Sequence, residues 1–96
     1  MKIRILERAE QDLMAGYYFY EAQGQGLGDY FLDTLYSDID ALHLHAGIHP
    51  WHFGFHRALS KRFPYAIYYR VAGEHVQIWA VLDCRQHPDK LREKLT

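Results

Sequence analysis

The spacing of apolar residues changes period partway along the chain, and few folds accommodate that change. Between residues 7 and 46 apolar side chains recur every three to four positions; between 56 and 83 they fall in short runs rich in aromatic and β-branched residues. The first spacing places them on one side of a helix, the second on the faces of strands. A chain that reads helix-helix and then strand-strand-strand is expected to be α+β.

The first helical stretch, Glu7 to Gln23, carries Ala9, Leu13, Tyr17 and Tyr20 on one stripe, with Glu7 and Glu10 where they complement the helix dipole. Gly24-Gln25-Gly26 breaks it. The second stretch is expected from about Leu27 to Ala46, with Leu27, Phe31, Leu35, Ile39, Leu42 and Ala46 inward and Asp29, Asp33, Asp38 and Asp40 outward. Gly47 is positioned as its C-cap, and Pro50 prevents the helix from resuming. With so short a link the two helices form an antiparallel hairpin.

Ahead of the hairpin, KIRIL at 2–6 alternates and puts Ile3 and Ile5 on one face of a strand. After it, strands are expected at 56–60, 63–71 and 75–83, the last with Val76, Ile78, Ala80 and Leu82 on one face. Pro64 lies near a strand start, where its missing N–H is harmless. Pro88 opens a short charged helix. The order is β-α-α-β-β-β. The last three strands make an antiparallel meander, and the first must join that sheet to satisfy its backbone. The hairpin covers one sheet face and leaves the opposite face partly open. Residues 1–96 make one domain, long enough to bury about 60–65% of the unfolded surface without a staple.

Cys84 is the single cysteine, so an internal disulfide and a thiolate zinc site are both ruled out. Neither a signal-peptide run nor a membrane-spanning stretch is evident, which makes the cytoplasm the expected location. The net charge of −1 conceals an asymmetry: residues 1–40 hold eight acids and three bases, residues 41–96 eight bases and four acids. Only the second part can attract polyanions. His43, His45, His49, His52 and His56 lie close together, but Gly47 interrupts the helical spacing of His45 and His49 and no carboxylate completes a ligand set, so no metal is expected. No cofactor is expected either.

Several segments together resemble a known family. They are AEQDL at the start of the first helix, Ile-Asp-Ala-Leu in the second, and Gly-Ile-His-Pro at its exit. Arg57-Ala58-Leu59 follows, then Phe63-Pro64-Tyr65-Ala66-Ile67-Tyr68-Tyr69, and then Val81-Leu82-Asp83-Cys84-Arg85 with Pro88 beyond. In this order they are similar to the RelE/ParE toxin superfamily, most of all to its ParE-like, plasmid-stabilisation branch. The resemblance implies a growth-inhibiting toxin of a bacterial type II toxin–antitoxin pair, neutralised by a small antitoxin, as a heterotetramer in some relatives. It leaves two mechanisms open. ParE-like members are implicated in blocking DNA gyrase; RelE-like members cleave mRNA on the ribosome.

Metal-free RNA cleavage needs a base, a cation to hold phosphorane charge, and an acid. The residues available are Arg85 for the charge and His87 for proton transfer, a catalytic pair only under the RelE-like reading. Arg57, Lys61, Arg62 and Arg85 are candidates for contact with a target or nucleic acid. Arg85 also has a structural reading, as the partner of a helix carboxylate or a cap on the strand end. No Tyr follows Arg85, and the chain lacks the overall basicity of a ribosome-bound nuclease, so gyrase-directed action is favoured. A partner-binding relative without toxicity is the third reading. Tyr65 and Tyr69 share a strand face while Tyr68 takes the other, which suits packing better than a base-stacking platform.

Overall fold

The computed structural model describes residues 1–96. In chain order the elements are β1 (Lys2–Ile5), α1 (Glu7–Glu21), α2 (Leu27–Asp40), α3 (Leu42–His45), β2 (Trp51–His52), β3 (Phe55–Leu59), β4 (Tyr65–Ala72), β5 (His75–Asp83) and α4 (Pro88–Leu95). The strands form one sheet in the order β1-β5-β4-β3-β2, with β1 parallel to β5 and the other pairs antiparallel. This is the α+β arrangement expected, with a two-residue edge strand added. β2 is too short to leave a periodic signal.

The helical hairpin closes because two glycines let its helices approach. A Cβ on Gly16 would lie 2.4 Å from the Phe31 ring, and one on Gly28 would lie 2.8 Å from the Tyr17 carbonyl. Glu21, at the end of α1, accepts from the backbone N–H groups of Gly26 and Gly28, the latter at 2.9 Å. It thereby satisfies donors that the start of α2 would otherwise leave unpaired. The second helix does not run unbroken to Ala46: it is interrupted at Ala41. That residue stays in the right-handed region, so Leu42 still continues the apolar stripe and is buried. Ala46 leaves helical geometry and Gly47 takes φ +94, ending the segment.

On the hairpin side of the sheet Leu13, Phe31, Leu35, Ile67, Tyr69, Val76 and Ile78 are fully excluded from solvent. Tyr20, Phe31, Phe63 and Tyr65 form an aromatic cluster at one end of this core, with ring centroids 4.8–5.2 Å apart for the closest pairs. Such rings add to burial through edge-to-face contact.

The expected face of Val76, Ile78, Ala80 and Leu82 is corrected by a bulge. Tyr68 pairs with Ala80 and Tyr69 with Ile78, which leaves Trp79 as an extra residue in β5. Beyond it the alternation inverts. Val76, Ile78 and Val81 face the hairpin, while Ala80 and Leu82 join Phe55, Ala66 and Tyr68 on the far side. Period-two spacing in the sequence cannot reveal an inserted residue.

The far side is open over only one half. α4 lays Leu91 and Leu95 over Ala66, Tyr68, Ala80 and Leu82. Their spacing of four residues puts both on one helix face. Cys84 is half-buried at the edge of this second core.

Candidate functional site

The sequence singled out five residues around the ends of β3 and β5, and the fold divides them among four places. Arg85 follows β5 and lies on the hairpin side, where Asp83 holds it. Its Nε donates to Asp83 Oδ1 at 3.0 Å and a terminal nitrogen to Oδ2 at 2.7 Å, while its backbone N–H donates to Oδ1 at 2.8 Å. The guanidinium side chain remains 59% exposed. The pair therefore comes from the strand itself, two residues upstream, and not from a helix. Arg85 lies in the turn after the strand, and an Asp whose side chain accepts the backbone N–H two residues on makes an Asx-turn, so the D-x-R spacing is the signal that could have revealed the pair.

The pair sets its own electrostatics. The guanidinium hydrogen bonds hold the Asp83 carboxyl below the usual carboxylate range, against the opposing effect of burial. Asp83 in turn raises the Arg85 pKa, so the cation is permanent. Beside them the Tyr65 phenol is pushed up to about 12, first by burial and then by the Asp83 charge. At neutral pH the phenol is therefore protonated and the Asp83 carboxylate ionised.

Between α1 and the end of β5 lies an open cleft of about 300 Å³, lined in part by Asp12, Phe19, Tyr65, Asp83, Gln86 and Lys94. Asp12 completes the sheet. β1 pairs with β5 only as far as Ile78, and the Val81 N–H, beyond that point, donates to the Asp12 carboxylate at 3.0 Å. Burial pushes the Asp12 pKa up, opposed by that hydrogen bond and by the charges of Arg8 and Lys94. Nothing in the local sequence marks this role, because its partner lies 69 residues away.

Lys61 and Arg62 sit in the loop before β4 and turn toward α2. The Arg62 guanidinium donates to the Tyr30 hydroxyl at 3.0 Å, and the Lys61 backbone N–H and Ser60 hydroxyl both donate to Asp38. With Asp33, Thr34 and Ser37 these residues line a second shallow cleft of about 300 Å³. Arg57 lies on the far face, opposite Tyr68 in register, with its guanidinium 3.6 Å from Cys84 Sγ. Arg57 and Arg85 thus flank the end of β5 from opposite faces, and the four cations form no single patch.

His87 caps α4. Its Nδ1 accepts from the Asp89 backbone N–H at 3.1 Å, which requires that nitrogen to be unprotonated. The ring is exposed, and the same nitrogen lies 3.6 Å from the Asp89 carboxylate. Of the clustered histidines, His49 bonds through Nδ1 to the Tyr69 hydroxyl, which also accepts from the Gly47 N–H. His56 donates from Nδ1 to the His49 carbonyl and stacks between Trp51 and Tyr69. These rings tie the 46–52 segment to the sheet.

The outer face of α1 was not singled out by sequence reasoning, yet it carries exposed apolar side chains. Met14, Tyr18 and Phe19 are 41%, 65% and 50% exposed. Glu7, Glu10, Gln11, Met14, Ala15 and Tyr18 line a shallow groove of about 450 Å³ there. The helical stripe reports which side faces inward and gives no reason for apolar residues outside it. No helix of the chain is long and apolar enough to cross a membrane.

No family model matches the chain, and no curated protein matches it. Among solved structures, it is similar to that of the chromosomal ParDE TA system from P. aeruginosa, with a TM-score of 0.71 and 20% sequence identity, over 84% of this chain and 92% of that one. At that identity the likeness speaks for architecture alone. The hairpin over a mostly antiparallel five-stranded sheet is therefore a ParE-like fold, the one that the sequence resemblance implied.

Proposed function

We propose that residues 1–96 form the toxin domain of a bacterial type II toxin–antitoxin pair, arresting growth in the cytoplasm by binding DNA gyrase and held inactive by a small antitoxin. The observation that carries this reading is the ParE-like architecture over 84% of the chain, together with the segment-by-segment resemblance in the sequence.

Two features of the site favour binding over RNA cleavage. Asp83 holds Arg85 through both carboxylate oxygens, which leaves the guanidinium less free to close over a scissile phosphate. His87, the proton-transfer candidate, has one ring nitrogen committed to capping α4. An exposed, permanently charged guanidinium suits recognition of an anionic group on a target, with Arg57, Lys61 and Arg62 as further contacts on neighbouring surfaces. The antitoxin is assigned to the outer face of α1. Met14, Tyr18 and Phe19 supply apolar anchors, and Glu7 and Glu10 call for Lys or Arg on the partner. A heterotetramer of two toxins and two antitoxins is the assembly that goes with this reading.

The reading is tested by inducing the chain in a bacterial host alone and together with the product of the adjoining reading frame. Growth arrest relieved by the second product is expected. Unimpaired growth in both cultures would leave a partner-binding protein without toxicity.

A further inference from the structure

We propose that the uncovered half of the far sheet face is a docking surface for the phosphate backbone of duplex DNA, read without regard to sequence. Ile3 and Ile5 face the hairpin, so Lys2 and Arg4 project to the far side. Register then aligns side chains across three strands. Arg4 lies beside Gln77, and Gln77 beside Arg70; in the next row Lys2 lies beside His75, and His75 beside Ala72. Lys2, Arg4, Arg70 and His75 are all exposed. No strand residue on this face is acidic: Asp83 belongs to the hairpin side, and Glu74 sits in the turn at the rim.

The Arg85–Asp83 ion pair and the two histidine–aspartate contacts all lie elsewhere and leave these cations unpaired. Arg70 is nevertheless preset. Its guanidinium lies 4.1 Å from the Phe55 ring centroid and 5.2 Å from that of Trp79, and its Nε donates to the Gly54 carbonyl at 3.1 Å. Two of these cations, Lys2 and Arg4, come from the acidic N-terminal part of the chain, so the sheet pairing and not the sequence order brings them beside Arg70.

The chemistry selects the partner. Lys2 and Arg4 are two residues apart on one strand, about 6.8 Å, and Arg4 and Arg70 are two strand spacings apart, about 10 Å. Both distances span about two to three times the ~3.4 Å rise per charge on one strand of a duplex, so the cations can meet separate phosphates. A protein partner would want apolar anchors, and none of the large exposed hydrophobic strand residues lies on this half: Val71 and Trp51 face the hairpin by register, and Leu59 lies opposite Ala66 at the end that α4 covers. Single-stranded nucleic acid would want free aromatic faces for stacking. Phe55 is 2% exposed and Arg70 lies over Trp79, so no such platform is offered. The inference stands on the register and charge of this face and does not depend on the toxin assignment.

The test is anisotropy of a fluorescent duplex oligonucleotide titrated with the full chain between 50 and 200 mM salt, for wild type and for Lys2→Gln/Arg4→Gln. Three neutralised phosphates give a log–log salt slope near −2.7, a loss of about 40-fold over that range; the double variant keeps one contact, and its loss falls to about threefold. Both substituted side chains are exposed, and an unchanged thermal melt shows that the variant is folded. Equal slopes for the two proteins, or no duplex binding at 50 mM, would overturn the proposal. Tighter binding of a single strand, or of polyglutamate at equal charge, would overturn the choice of duplex DNA as the partner.

Discussion

The two faces of the sheet are built on different principles. On the hairpin side, two helices joined through close glycine contacts cover a continuous core, and their outer surface is acidic and carries exposed apolar side chains. On the far side a short helix reaches only part of the strands, and the rest presents unpaired cations without apolar anchors. Stability is concentrated on one face, and both faces are left with surface that the fold itself does not need. The contrast teaches that a near-neutral total charge says little about what a small protein can bind, because segregation of charge governs the local field.

The largest test of this contrast is a pair of truncations. Leu35 is fully excluded from solvent beneath the hairpin, whereas Leu91 on α4 retains 8% exposure. Leu35→Ala is expected to cost about 3–5 kcal/mol and Leu91→Ala about 2 kcal/mol, read from denaturant midpoints. If Leu91→Ala proves the costlier, α4 is a principal part of the core and the contrast between faces fails.

Acidification gives a smaller effect that belongs to the hairpin side. Burial lowers the His49 pKa below its usual 6.5, with the charges of His56 and His45 adding to the shift. A histidine whose folded pKa is depressed binds its proton more readily when unfolded. Its contribution is therefore complete above pH 6.5 and is lost as pH falls from there through the folded value. Asp83, also depressed, contributes above its usual 3.8 and is lost below it, in a separate, more acidic window. Thermal melts from pH 7.5 to 5 are expected to fall for the wild type and to flatten in His49→Gln. Parallel curves would remove His49 from the account.

The smallest effect is on the far side. The Trp79 indole Nε1 is buried without an acceptor, so Trp79→Phe removes an unsatisfied donor while keeping a ring against Phe55 and Arg70. The change is expected to lie within about 1 kcal/mol of neutral, with stabilisation the favoured sign. A loss above 2 kcal/mol would mean that the indole's extra volume, not its N–H, matters at the bulge.

Much of this architecture was legible in the sequence because it rests on local periodicity. His75–Asp83 forms a strand and Pro88 opens a helix, both as the pattern requires, and Gly47 takes the positive φ that ends the helical segment. What was not legible depends on pairing between distant segments. The Trp79 bulge inverts one strand's faces without altering its composition. Asp12 finds Val81 only after the sheet has formed, and the Arg4–Gln77–Arg70 row exists only once β1 has joined β5. At the candidate site, the sequence named Arg85 but not its partner Asp83, and it grouped Lys61 and Arg62 with Arg57 although a strand and a loop hold them on different surfaces.

Central to the account is that this fold acts by engaging a target and does not cut RNA, and one paired assay measures that directly. Purified protein and Arg85→Ala are added to gyrase with relaxed plasmid and, in parallel, to translating ribosomes with labelled mRNA. The account predicts that wild type blocks supercoiling, that Arg85→Ala blocks it at least tenfold less effectively, and that the mRNA stays intact in every reaction. Codon-positioned mRNA cleavage by the wild type, abolished in Arg85→Ala and accompanied by normal supercoiling, would contradict it.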